Sequence, residues 1–151
     1  MPIRAATEAD LSRIAEIFVY NNRINYLPIF QDEEYSFGEL QVGAVMRDFG
    51  AWIGELADTY VYDDGILRGF ASVHGEEITK LYVDPFFQGR GIGARLLDFA
   101  VEEKGANTLW VLEKNTRGAA FYARHGFLPD GEKKFEEGTA ERLLRLRLGA
   151  Q

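Results

Sequence analysis

The chain contains no cysteine, only two histidines among its 151 residues, and no long apolar run. Without cysteine, a disulfide, a thiolate nucleophile and a cysteine-ligated metal site are all excluded. The absence is typical of a reducing compartment, and we expect a cytoplasmic protein. His74 and His125 lie far apart in the sequence. We therefore expect no metal site, and a Ser-His-Asp triad would need one of these two histidines.

No window approaches the ~18 consecutive apolar residues of a membrane helix, and the N-terminal residues hold no apolar signal run. We therefore expect neither export nor a membrane span. The net charge is −7. Because an acidic domain binds nucleic acid and anionic membranes poorly, we expect neither as a partner, whereas cations and amines suit it.

The chain has no internal repeat, low-complexity tract or Pro/Ser-rich linker. We expect one domain over residues 1–151 around one hydrophobic core. A short strand is predicted at residues 2–6. Thr7 and Asp10 then form a capping-box arrangement that opens a helix, whose apolar stripe ends near Tyr20.

The segment after this helix has a weak pattern. Residues 25–37 have no clean period and contain Pro28, which predicts a loop or a broken helix. A helical pattern follows over residues 38–56, carried by Leu40, Ala44, Val45, Phe49, Trp52 and Ile53.

The rest of the chain alternates between strand and helix patterns. The predicted elements are a hairpin of TYVYDD and ILRGFASVH turning at Asp64-Gly65, a strand EEITKLYV, a helix over 89–104, a strand TLWVLE, a helix over 116–125 and a final strand with Leu144, Leu146 and Leu148 on one face. This order predicts a mixed α/β sheet.

Three glycines at alternate positions, Gly89, Gly91 and Gly93, lie between a strand pattern and a helix pattern. The first N–H groups of a helix have no partner within the helix, and the helix dipole favours negative charge there. Glycines would let a phosphate approach this main chain, and Arg90 adds a cation. A turn without a ligand is the alternative, although glycine costs roughly 1 kcal/mol at each position within a helix.

Two phosphate-binding patterns can be compared with this segment. The G-x-x-x-x-G-K-S/T pattern is absent, whereas the dinucleotide pattern G-x-G-x-x-G/A is met by Gly89, Gly91 and Ala94. Glu113 lies near the position expected for its ribose-binding acid. Five residues separate the strand from Gly89, however, and too few residues follow it for a doubly wound fold.

Two motifs in order carry a family resemblance. QGRGIG has the form Q/R-x-x-G-x-G/A and follows LYVDP, and a later N…A..FY…GF pattern consists of Asn115, Ala119, Phe121, Tyr122, Gly126 and Phe127. With these motifs the chain resembles the GNAT superfamily of acyl-CoA-dependent N-acyltransferases, most specifically over residues 77–127. The resemblance implies a mixed, mostly antiparallel sheet of six to seven strands with splayed central strands and helices on both faces.

The resemblance also implies a donor site for acetyl-CoA. The coenzyme A pyrophosphate would lie on the backbone and side chains of Gln88, Gly89, Arg90, Gly91, Ile92, Gly93 and Ala94. The pantetheine arm would run along the backbone of Leu81, Tyr82 and Val83. Asn115 matches a position that hydrogen-bonds the pantetheine arm, and a helix N-cap is an equal alternative for it.

The implied reaction is direct transfer of the acetyl group to a primary amine in a ternary complex. Tyr122 matches the tyrosine that protonates the leaving thiolate, and packing against the sheet is its alternative role. Glu77 is the candidate general base, on the expectation that alternation puts Glu77, Thr79, Leu81 and Val83 on one face. A solvated glutamate at the strand end is equally compatible with the sequence. A second family position for a glutamate holds Trp110 here, and Glu113 and His74 are the reserves.

The acceptor site is implied to lie between the first strand and the hairpin. This region combines aromatic and acidic residues: Tyr20, Tyr26, Phe30, Asp32, Glu33, Glu34 and Tyr35. Such a mixture suits a cationic small-molecule or peptide amine, with a solvated acidic loop as the alternative. A non-catalytic acyl-CoA-binding module of the same fold is the alternative function. Homodimers are common in the family.

Overall fold

The computed structural model describes residues 2–51 and 53–149, except for the side chains of residues 49–54. In chain order the elements are β1 (Ile3–Ala5), a 3₁₀ turn (Glu8–Asp10), α1 (Leu11–Phe30), a π-helical turn (Glu34–Glu39), α2 (Val42–Ala51), α3 (Ile53–Ala57), β2 (Thr59–Asp63), β3 (Leu67–His74), β4 (Glu77–Val83), a 3₁₀ turn (Pro85–Phe87), α4 (Ile92–Lys104), β5 (Thr108–Leu112), α5 (Thr116–Arg124), β6 (Phe127–Phe135) and β7 (Arg142–Leu148). The predicted contribution of the Phe49, Trp52 and Ile53 side chains lies outside the described residues. Within the described part of the chain, no helix combines the length and apolar content needed to cross a membrane.

The seven strands form one sheet in the order β1-β2-β3-β4-β5-β7-β6. Neighbouring strands are antiparallel except for β4 and β5, which are parallel. This mixed, mostly antiparallel sheet confirms the predicted fold class. It differs from the doubly wound parallel sheet that the dinucleotide alternative requires.

Helices cover both faces of the sheet. Successive side chains of a strand point to opposite faces. On β3, Phe70 accordingly packs with Ile14 and Ile17 of α1, whereas Ala71 packs with Leu96 of α4. Helices α1 and α2 therefore cover one face of the sheet, and α4 covers the other.

The first helix is longer than the sequence pattern predicts. It runs to Phe30 and passes through Pro28, well beyond the predicted end near Tyr20. The loop or broken helix predicted for residues 25–37 is therefore wrong in part. That segment holds the last turns of α1 and part of the π-helical turn Glu34–Glu39.

The apolar stripe of α1 stops early because the helix passes from the core to an open cleft beside β4. Asn21, Asn22 and Tyr26 line this cleft instead of packing in an apolar cluster. The amide of Asn21 donates to the carbonyl of Ile17 one turn back, and that of Asn22 donates to Phe18 in the same way. The helical backbone thus continues where the hydrophobic period ends.

The β4 strand contains a bulge at Thr79. Ser72 of β3 pairs with Lys80. The next residue, Val73, pairs with Ile78, which leaves Thr79 without a partner on β3. An extra residue of this kind reverses the alternation of side chains across it.

This bulge changes the face on which Glu77 lies. Ile78, Leu81 and Val83 all pack in the clusters on the α4 side of the sheet. Glu77 precedes Ile78 and so points to the other face. The predicted common face of Glu77, Thr79, Leu81 and Val83 is therefore wrong.

Asp10 joins the start of the first helix to β1. Its two carboxylate oxygens accept from the Arg4 guanidinium at 2.8 and 2.9 Å, and Oδ2 also accepts from the Thr7 N–H at 2.8 Å. Thr7 therefore opens the helical segment as predicted. The Arg4 pair is the main cause that holds the pKa of Asp10 below its ordinary value of 3.8, and burial opposes it.

We expect Asp10→Asn to lower the free energy of unfolding at pH 7 by about 2 kcal/mol, because it breaks a partly buried ion pair. Since the folded-state pKa of Asp10 is depressed, this contribution is complete above pH 3.8 and is lost as the pH falls through the folded-state value. Urea unfolding at neutral and strongly acidic pH should show the deficit shrinking in acid. Asp98→Asn, at an exposed position of α4, is the matched control. An equal deficit at both pH values would contradict the assignment.

Candidate active site

The cleft opens where the two parallel strands separate. β4 and β5 pair only through Glu77 with Thr108 and Ile78 with Leu109. Past these pairs, the edge of β4 that faces β5 has no neighbouring strand among the residues the structure describes. The gap is part of a cleft of about 1370 Å³. Leu81, Tyr82 and Val83 line it, so main-chain groups of β4 are accessible to an extended ligand.

The glycine loop forms one wall of this cleft. Gly89 and Gly91 have φ values of 82° and 81°, in the left-handed region that glycine adopts without strain. Among the residues that the structure describes, none has an atom within 4 Å of a Cβ built at either position. Both glycines border the cleft. They allow the left-handed backbone conformation of the loop and leave this wall of the cleft free of side chains.

The N-terminus of α4 follows this loop directly. The helix begins at Ile92 with Gly91 as its N-cap, so no side chain caps the first turn. The free N–H groups and the positive end of the helix dipole favour an anion at this position. Gly93 and Ala94 of the first turn also line the cleft. Arg90 is not among the lining residues, and its guanidinium lies 5.4 Å from the ring centroid of Phe87.

Gln88 connects the loop to β4 and α1. Its side-chain amide donates to the carbonyl of Val83 at 3.1 Å and to Oδ1 of Asn21 at 3.4 Å. Asn21 donates to the same Val83 carbonyl at 3.0 Å. Two side-chain amides thus hold the end of β4 at the cleft. The role of Asn21 at the cleft was not predicted, because nothing in the sequence around a polar helical residue indicates a contact with a distant strand.

Tyr122 reaches the cleft from α5. Its ring makes edge-on contacts with Phe121 and Phe127, at centroid distances of 5.2 and 6.3 Å. Desolvation raises the pKa of Tyr122 well above its ordinary value of 10.0, and the nearby Tyr26 adds a smaller effect in the same direction. The phenol is therefore protonated over the whole neutral range and can act as a proton donor.

Asn115 lies on the cleft at the start of the same helix. Its Oδ1 accepts from the N–H of Gly118 at 3.0 Å, so Asn115 is the N-cap of α5. The capping role predicted for it is thus present. Because its side chain also borders the cleft, a second role toward a ligand remains a prediction.

Similarity to known proteins identifies the family to which this chain belongs. Residues 52–129, more than half of the chain, match the family described as "Acetyltransferase (GNAT) domain". The chain belongs to the GNAT acetyltransferase family. The glycine loop, the splayed β4 and Tyr122 all lie within the matched residues.

Relatives with names and solved structures agree with this assignment. The peptidyl-lysine N-acetyltransferase YjaB of Salmonella typhimurium is 33% identical over 69 residues, which cover 46% of this chain and 48% of that protein. The match thus spans about half the length of this curated relative. The apo form of YjaB from Escherichia coli has a TM-score of 0.76 at 23% identity, covering 99% of this chain and 97% of that one. The PaiA N-acetyltransferase of Thermoplasma acidophilum, in complex with coenzyme A, has a TM-score of 0.67 at 21% identity, with 96% and 97% covered. At such identities the two structures show the fold alone.

The structure of this GNAT domain does not bring Glu77 into the cleft. Glu77 lies at the closed end of β4, paired with His74 on one side and Thr108 on the other, and is not a lining residue. The reserve candidate His74 is exposed, and its imidazole pairs with Asp58 at 2.9 Å. Glu113 does not line the cleft either, whereas Trp110 does. A base for the GNAT reaction is therefore better sought elsewhere in the cleft.

The predicted acceptor region reaches the cleft only in part. Tyr26 and Phe30 at the end of α1, followed by Asp32 and Tyr35, line it. The other three residues predicted there, Tyr20, Glu33 and Glu34, are not lining residues. The turn between β6 and β7 also reaches the cleft and brings Glu136, Glu137 and Glu141 to it. Sequence reasoning missed this turn, because an acidic turn between two strands has the composition of a solvated loop.

Proposed function

We propose that this GNAT domain transfers an acetyl group from acetyl-CoA to a primary amine by direct attack in a ternary complex. The observation that carries the proposal is that the bare N-terminus of α4 and the protonated Tyr122 border the same cleft. The first can hold a pyrophosphate and the second can protonate a thiolate. The coenzyme A complex of the PaiA relative supports the choice of donor.

In the proposed reaction, each chemical requirement is met by a group of the cleft. The pantetheine arm lies along the exposed edge of β4, and a main-chain N–H near Leu81 or Tyr82 stabilises the oxyanion. The neutral amine attacks the thioester carbon, because an ammonium has no lone pair for the attack. As the C–S bond breaks, Tyr122 donates its proton to the sulfur.

The acceptor we propose is a cationic amine, such as a lysine side chain or a polyamine. The acceptor end of the cleft combines the rings of Tyr26 and Phe30 with the carboxylates of Asp32 and Glu136. Aromatic rings and carboxylates together attract an ammonium group. The peptidyl-lysine activity in the name of the YjaB relative supports this class.

An amine panel with acetyl-CoA tests the proposal. We expect release of free coenzyme A with spermidine or with an N-terminally blocked lysine peptide, and none with the corresponding alcohols. Because the chain contains no cysteine, a thiol reagent detects coenzyme A without background from the protein. Calorimetry with acetyl-CoA measures donor binding separately.

The two measurements distinguish the proposed function from its alternative. Acetyl-CoA binding without thiol release for any amine would indicate a non-catalytic acyl-CoA-binding module. The absence of acetyl-CoA binding would overturn both. Thiol release that is equal with and without amine would indicate hydrolysis and would contradict amine transfer.

A further inference from the structure

The end of β6 and the start of the turn that follows it contain one residue that differs from its neighbours in burial. Between residues 131 and 140 every position is exposed except Glu136, which is partly buried. The backbone of the turn is well defined, since the N–H of Glu136 donates to the carbonyl of Glu141 and its own carbonyl accepts from the N–H of Thr139. The fold thus partly buries Glu136 at the cleft, which Glu137 and Glu141 of the same turn also line.

Glu136 lines the same cleft as two tyrosines from the first part of the chain, Tyr26 and Tyr35. Its negative charge acts on Tyr26 at the end of α1 and on Tyr35 just beyond it, and raises the pKa of both phenols in addition to the larger effect of burial. Tyr26 in turn hydrogen-bonds Tyr82 of β4 and acts on Tyr122. Glu136, Tyr26 and Tyr122 therefore border one cleft and influence one another electrostatically.

Among the described residues, the other carboxylates that line the cleft are exposed or paired, and Glu137 is one of the exposed ones. Glu141 pairs with Lys114 at 3.0 Å. Asp32 accepts from the N–H of Tyr35 at 2.9 Å and is exposed. Among the described side chains, no lysine or arginine forms an ion pair with Glu136. A partly buried carboxylate without a cation in a substrate cleft is suited to an ammonium group.

We infer that Glu136, brought to the cleft by the β6–β7 turn, binds the acceptor ammonium and takes the proton that it must lose before attack. This inference rests on the proposed function. The ammonium nitrogen loses two protons in all. The first goes to the Glu136 carboxylate and leaves to solvent, and the second replaces the proton that Tyr122 gives to the sulfur. The C–N bond forms and the C–S bond breaks, so atoms and charge balance.

Glu136→Gln tests the inference through the pH dependence of kcat with spermidine and with the blocked lysine peptide as acceptors. A lysine amine has a pKa of about 10.4, so a variant without the base depends on the small neutral fraction. We expect kcat at pH 7 to fall about 100-fold or more, and then to rise about tenfold per pH unit toward pH 10. The wild-type kcat should change little over this range. Glu136→Asp, which keeps a carboxylate, should have a higher kcat at neutral pH than Glu136→Gln.

Two matched variants serve as comparisons. Glu132→Gln makes the same charge change on the exposed part of β6 and should leave the profile unchanged. If Glu137→Gln instead produced the steep profile, the neighbouring carboxylate would be the base and the inference would be wrong. A loss in Glu136→Gln that is the same at every pH would indicate positioning alone and would likewise overturn it.

The wild-type reaction separates this inference from the proposed function. If the wild type releases no coenzyme A with either amine, the proposed function fails and the role of Glu136 fails with it. If the wild type is active and Glu136→Gln follows the wild-type profile, only the role of Glu136 is overturned.

Discussion

We expect Tyr122→Phe to lower kcat for amine acetylation about 10²- to 10⁴-fold, the range for loss of a general acid, and to leave acetyl-CoA affinity unchanged. Phe keeps the ring that packs against Phe121 and Phe127 and removes only the hydroxyl. The thiolate must then leave without a proton. Thiol release measures kcat, and calorimetry measures the affinity.

The pH profile of the wild type gives a second test of Tyr122. Its acid form is the active form, and burial raises its pKa above the ordinary value of 10.0. Activity that depends on Tyr122 should therefore persist to at least that pH and decline only as the pH rises further. Tyr20→Phe is the matched control, because Tyr20 stacks on Phe86 away from the lining of the cleft. Unchanged turnover in Tyr122→Phe would remove this residue from the mechanism.

Replacing Gly91 by Val weakens acetyl-CoA binding by about tenfold or more. Gly91 has φ 81° and caps α4 with open space around it. A β-branched side chain disfavours this backbone conformation and fills the space that a pyrophosphate needs. Each hydrogen bond lost to a charged group costs about 1.5–3 kcal/mol, and 1.4 kcal/mol is a tenfold change in affinity.

Gly65→Val is the matched control for the backbone strain. Gly65 also has a positive φ, 109°, and no atom within 4 Å of a built Cβ, but it lies in the β2–β3 turn outside the lining of the cleft. Both variants should lose about 1–2 kcal/mol of stability from the left-handed conformation. Only Gly91→Val should lose donor affinity. An equal loss in both would show that general destabilisation is the cause.

The residues of the proposed donor site that the sequence predicts lie, except for Arg90, along one cleft of the structure. A helix N-terminus that receives an anion needs a backbone free of side chains, and this requirement appears as the alternate glycines Gly89, Gly91 and Gly93. The later motif with Asn115 and Tyr122 resembles the family pattern in its residue spacing, which can be recognised in this one sequence. The structure places these residues around one cleft, and their roles toward coenzyme A remain predictions.

Two predictions were wrong, the end of α1 and the common face of β4. In both, a hydrophobic pattern along the sequence was used where contacts with other parts of the chain decide the structure. The stripe of α1 ends near Tyr20 because the helix leaves the core, although its backbone continues to Phe30. The alternation along β4 fails at Thr79, where the bulge puts Glu77 on the other face. Neither the exit of α1 from the core nor the bulge in β4 alters the local amino-acid composition. Neither can therefore be predicted without knowing the partner strand or the cleft.

The sequence by itself determined the fold class, because the order of its strand and helix patterns depends on hydrophobic period, and its two motifs carried the resemblance that predicted the family and the donor residues. Only the tertiary structure brought together the residues of the proposed acceptor end. There the end of α1 and a turn more than 100 residues later line one cleft, so that Glu136 acts electrostatically on Tyr26 and Tyr35. Such a meeting is set by the order and twist of the strands between them, and nothing in the acidic turn itself records which side chain points inward.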